Sequence, residues 1–124
     1  MNVHEKAMLC ARKALEYKAQ NVLLLDVGGF SSFADFFVIC SGRSSRQVQS
    51  IAENLETTLK REGLKPLGVE GSREGQWVLM DYGDVILHIF YEPVRLFYDL
   101  ESLWAEAKRI QVGEDAAVPD ADKV

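Results

Sequence analysis

In the stretch DYGDVILHIF, residues 81–90, two aspartates flank a Tyr-Gly pair and His88 interrupts an apolar run. Carboxylates and an imidazole this close together suit general acid–base work, in which a group titrating near neutrality exchanges a proton with a reacting atom. The same residues suit a tight turn beside a recognition surface. A nucleophile would favour chemistry, but no serine stands in a Gly-x-Ser-x-Gly elbow. Cys10 and Cys40 lie in apolar settings with no Cys or His at ligand spacing, so both read as buried, reduced thiols.

A second candidate is GGFSSFADFF, residues 28–37. A Gly turn followed by an aspartate on a strand is half of the nucleotidyltransferase arrangement, in which two carboxylates one residue apart hold magnesium. Phe37 stands where the second carboxylate belongs. Asp26 could replace it only if the fold brought it alongside. No catalytic residue, metal or cofactor is therefore expected. Gly28-Gly29 lacks the spacing and lysine of a phosphate loop and reads as a turn. Ser41 to Arg46 is either an anion site at a helix N-terminus or a capped helix with solvated arginines.

The formal charge of −5 is concentrated at one end: residues 111–124 hold four acids and one lysine, leaving −2 for the rest. A nearly neutral body lacks the basic excess of a protein that grips a phosphate backbone unaided, so no sequence-specific nucleic acid is expected. A mildly acidic body suits a basic protein partner. No apolar run approaches the roughly 20 residues that span a bilayer, and the N-terminus has no signal-peptide block, so a cytoplasmic protein without membrane contact is expected.

The elements that must position these residues follow from periodicity. Val3, Ala7, Met8, Ala11, Ala14 and Leu15 predict an amphipathic helix over 3–19. Residues 21–27 and 33–42 predict strands covered on both faces. Val48, Ile51, Ala52, Leu55 and Leu59 predict a second helix, capped at Ser44-Ser45 and closed at Gly63. KPLGVEG predicts a weak edge strand. QWVLMDYG and DVILHIFY predict a hairpin with Tyr82-Gly83 at the turn centre, pairing Met80 with Val85, Leu79 with Ile86 and Trp77 with His88. Val78, Met80, Val85, Leu87 and Ile89 then form the core face. Trp77, Leu79, Ile86, His88 and Phe90 form the other face.

From Pro93 a last helical segment spaces Leu96, Leu100, Leu103, Trp104 and Ala107 for burial. Arg95, Tyr98 and Glu101 form a neighbouring stripe free to face a partner. The expected fold is a single α/β domain over residues 1–110, with a mixed sheet of about five strands flanked by helices. An acidic, disordered tail is expected over 111–124. Trp77, Asp81, Tyr82, His88, Arg95, Tyr98 and Glu101 cluster in sequence around the hairpin and last helix, and aromatic residues with arginine dominate interface energetics. They are the expected partner-binding residues, with Glu101 offering its carboxylate to a basic side chain.

The segments SSFADFFVICSGRSSRQVQSIAENLE and EGSREGQWVLMDYGDVILHIFYEPVRLFYDLESLW resemble the ribosomal silencing factor, or Iojap-like, family over roughly residues 5–107. The resemblance implies a nucleotidyltransferase-like fold without the catalytic carboxylate pair. It also implies a non-enzymatic repressor that binds the large ribosomal subunit through ribosomal protein number fourteen and sterically blocks joining of the small subunit under nutrient limitation. The resemblance further implies a homodimer when the protein is free. The alternatives are a nucleotide-binding enzyme, or a generic dimeric adaptor of the same fold.

Overall fold

A computed structural model describes residues 1–112 of the 124-residue chain. The elements in chain order are α1 (Val3–Glu16), β1 (Gln20–Asp26), β2 (Phe36–Gly42), α2 (Ser45–Arg61), β3 (Gly68–Glu70), β4 (Trp77–Asp81), β5 (Val85–Tyr91), α3 (Glu92–Tyr98), α4 (Leu100–Leu103) and β6 (Lys108–Ile110). The strands form one sheet in the order β3-β4-β5-β2-β1-β6. β2 and β5 pair in parallel at its centre, and every other pairing is antiparallel. The sheet is mixed, as expected, with a sixth strand where the sequence pattern gave about five. Most of the acidic tail expected over 111–124 lies outside the described residues.

The two central strands are almost entirely buried and, Ser41 and His88 apart, largely apolar, because both of their faces are covered. α1 and α2 lie on one face. α1 starts with a capping box between Asn2 and Glu5, and its Ala7, Ala11 and Ala14 bring the helix close to the strands. α2 is capped by Ser44 and buries Val48, Ile51, Ala52, Leu55 and Leu59 against Val78, Met80, Val85, Leu87 and Ile89. The opposite face, read from sequence as open to a partner, holds a second and smaller core. There Leu25, Val27, Phe37, Ile39, Ile86 and Phe90 pack under Val94, Leu100, Trp104 and Ala107.

The hairpin register differs from the expected one. Asp81 pairs with Ile86, Met80 with Leu87, Leu79 with His88 and Trp77 with Phe90. The turn closes through the Tyr82 amide on the Val85 carbonyl, which makes Gly83 and Asp84 its central residues. Gly83 has φ of +89°, and a hairpin turn with glycine in the first central position matches the twist of its strands. A Tyr82-Gly83 centre would have forced the tyrosine into that conformation. The slip is by two residues, so the division of side chains between the two faces is unchanged.

The last helix also differs. It breaks at Asp99, which takes the left-handed conformation at φ 48° and separates α3 from α4. The break offsets α4 from the stripe of one continuous helix, and the faces of α3 also differ from those expected. Arg95 turns inward, whereas Leu96 and Leu103, both expected in the core, are 70% and 76% exposed.

Candidate protein-docking site

The residues that opened the question of acid–base chemistry are occupied in holding the fold. Asp81 accepts a hydrogen bond from the Gly83 amide at 2.8 Å, inside the turn. Asp84 pairs with Lys6 at 2.7 Å, and the same ammonium donates to the Tyr82 carbonyl, fastening α1 to the hairpin tip. His88 is only 5% exposed. Its Nδ1 accepts from the Trp77 indole at 3.1 Å, a diagonal contact in the observed register. Burial pushes its pKa down to about 4, so the ring is neutral near pH 7 and a poor proton carrier.

The nucleotidyltransferase-like half-site fares similarly. Phe37 is buried edge-on against His88 and Trp104, with ring centroids 4.9 and 5.2 Å away, so an aromatic core fills the position of the second carboxylate. Asp26 accepts from the Gly28 amide at 3.2 Å and so serves the turn. Among the described residues no group of three or more His, Cys, Asp or Glu side chains could hold a metal ion. Cys10 and Cys40 are free and buried, and desolvation pushes both thiols up to about 12.

The expected partner-binding residues separate by burial. Tyr82 is buried, with a hydroxyl that has no partner among the described residues, and burial pushes its pKa up. Arg95 is 7% exposed: its Nη1 donates to the Asn21 carbonyl at 2.9 Å and to Ser41 Oγ at 2.8 Å, and its Nε to Glu101 at 3.0 Å. Tyr82, His88 and Arg95 therefore present no side-chain surface in this fold. Asp81 and Glu101 are half-buried and already bonded. Trp77 is half-buried at the start of β4, and Tyr98 is 55% exposed.

Trp77 and Tyr98 meet in an aromatic series running from core to surface. The Trp77 ring stacks on Phe90 with centroids 4.8 Å apart and lies 5.2 Å from Tyr98, which in turn meets Phe97 edge-on at 5.1 Å. Phe97 is 80% exposed, and Leu96 and Leu103 stand out beside it in sequence on α3 and α4. Leu103 also shares a groove with Phe30, which is exposed in the β1–β2 connection. Soluble proteins rarely leave such apolar groups clustered at the surface unless something binds there. The sequence pattern placed Leu96 and Leu103 in the core and assigned Phe97 no role, yet all three are exposed. Val94, Leu96, Phe97 and Tyr98 were the available signal, because one short helix cannot bury apolar side chains pointing in so many directions.

This is a small mixed-sheet α/β domain that carries exposed aromatic and aliphatic side chains on its two short C-terminal helices. The family model described as "Ribosomal silencing factor during starvation" matches residues 1–123, and the chain belongs to that family. It is 38% identical over 112 residues to the ribosomal silencing factor of Halalkalibacterium halodurans, covering 90% of this chain and 96% of that protein. It is 29% identical over 109 residues to the chloroplastic Iojap protein of Zea mays, covering 88% of this chain and 48% of that longer protein. The fold is similar to a crystal structure of a Chromobacterium violaceum protein, with TM-score 0.82, 32% identity and coverage of 96% and 98% of the two chains.

Proposed function

We propose that this chain is a translational repressor of the cytoplasm that binds the large ribosomal subunit through ribosomal protein number fourteen and occupies volume the small subunit needs in order to join. Membership of the silencing-factor family supports the ribosomal part of this reading. The observation that carries the docking part is the series running outward from half-buried Trp77 to exposed Tyr98 and Phe97, with Leu96 and Leu103 exposed on the same pair of short helices. Aromatic anchors at the centre of a contact supply most of its binding energy. The mildly acidic body favours a basic ribosomal protein and gives salt-sensitive association. Occlusion requires no turnover, in keeping with a neutral His88 and a filled position at Phe37. A free chain has reason to cover the same apolar surface with a second copy, which makes a homodimer the natural unbound state.

The test is subunit association followed by light scattering. Saturating amounts of the protein, added to isolated large subunits before small ones, should suppress the rise in scattering, and the protein should co-sediment with the large subunit. Unchanged association would refute occlusion.

A further inference from the structure

We infer that His88 is a positioning residue for the docking face: its Nδ1 fixes the Trp77 indole, and through that ring Tyr98, without meeting the partner itself. The inference rests on the docking reading above and assigns a buried group a role in it.

The geometry is specific. His88 sits in mid-strand on β5, its backbone paired with Leu79 on one side and Ile39 on the other, so its ring stands on a fixed base. Trp77 is the first residue of β4 and is partly buried, with an edge reaching solvent. Its indole N–H can only donate, and His88 Nδ1 is the acceptor it finds, at 3.1 Å. Since Nδ1 accepts, the proton of the neutral ring is on Nε2, which has no partner among the described residues. The Trp77 ring then lies 5.2 Å from Tyr98, the half-exposed member of the series.

Stability alone does not call for histidine here. An apolar side chain would fill the same space between Phe37 and Phe90 without desolvating an imidazole or leaving a buried N–H unpaired. What histidine adds is the acceptor. Without it the indole N–H must stay unpaired or swing toward water, and either change releases the ring on which Tyr98 rests.

Three substitutions test this in the full chain. His88→Leu removes the acceptor, His88→Asn restores an oxygen near the Nδ1 position, and Trp77→Phe removes the donor while keeping a ring. Kd for purified large subunits should rise at least fivefold for His88→Leu, with thermal stability unchanged or raised, and should return to within twofold of wild type for His88→Asn. In a Trp77→Phe background, His88→Leu should have no further effect, since the coupling runs through that hydrogen bond. In nuclear magnetic resonance spectra the Trp77 indole proton should exchange slowly in wild type and rapidly in His88→Leu. Unchanged affinity for His88→Leu, or an undiminished effect in the Trp77→Phe background, would overturn the proposal. Should His88→Leu fail to fold, fast indole exchange in the wild-type chain would overturn it equally. A wild-type chain that does not bind large subunits would defeat the ribosomal reading instead, and the exchange comparison would still decide whether His88 holds Trp77.

Discussion

The Arg95 guanidinium meets the Glu101 carboxylate at 3.0 Å across the left-handed break at Asp99. Both side chains are mostly shielded from water, and Arg95 also ties α3 to Asn21 in β1 and Ser41 in β2. The pair therefore holds the corner from which α3 and α4 project their apolar residues. With Arg95 turned toward the sheet, Leu96 one position further along α3 points outward and is 70% exposed.

Glu101→Lys should consequently destabilise the fold by about 3 kcal/mol, because it leaves the Arg95 charge unpaired and adds a like charge beside it. The sequence pattern had instead offered Glu101 to a partner's basic side chain. Thermal melts distinguish the roles: an unchanged melting temperature with weakened ribosome binding would return Glu101 to the interface.

Phe97→Ser should behave in the opposite way. An 80%-exposed phenylalanine contributes little to the core, so melting should hardly change. Affinity for the large subunit should fall at least tenfold, about 1.4 kcal/mol, as expected on truncation of an aromatic anchor. Equal affinity in a co-sedimentation series would move the docking face away from α3.

The layers of the fold were legible where periodicity was long. α1 and α2 each repeat apolar residues over several turns, and the runs of β2 and β5 can only belong to covered strands. The proposed docking face was less legible because its geometry depends on two local events. Gly83 rather than Tyr82 takes the first central position of the turn, which turns the expected Trp77–His88 pair into a diagonal contact. Asp99 adopts positive φ, so a stripe extrapolated from Leu96 to Leu103 crosses a break that periodicity does not register. Of the residues expected to face a partner, Trp77 and Tyr98 reach the surface, whereas Tyr82, His88 and Arg95 lie beneath it.

Stability should depend on pH through His88. Burial depresses its pKa from 6.5 to about 4, with no charged neighbour among the causes. Between those values the unfolded chain takes up a proton that the native chain refuses, so stability rises with pH across that window and is fully present above it. Full depression amounts to about 3 kcal/mol, lost progressively as pH falls from about 6.5 to about 4. Urea titrations of wild type and His88→Leu at several pH values would check this. The variant should lack that part of the slope, and identical slopes would show that His88 titrates normally.

Gly71 supports Trp77 from the preceding loop and gives the most severe expected outcome. Its φ is +84°, and a Cβ built there would come within 2.1 Å of the Trp77 carbonyl oxygen. Neither problem is relieved by a side-chain rotation, since the obstacle is backbone and the conformation disfavours any L side chain. Gly71→Ala should therefore cost about 2 kcal/mol or more and displace the start of β4, where Trp77 is anchored. Folded Gly71→Ala protein should retain the far-ultraviolet signal of the sheet yet show faster exchange of the Trp77 indole proton and weaker binding to the large subunit. Wild-type stability and indole exchange in this variant would mean that the loop over residues 71–76 yields freely and does not set the position of Trp77.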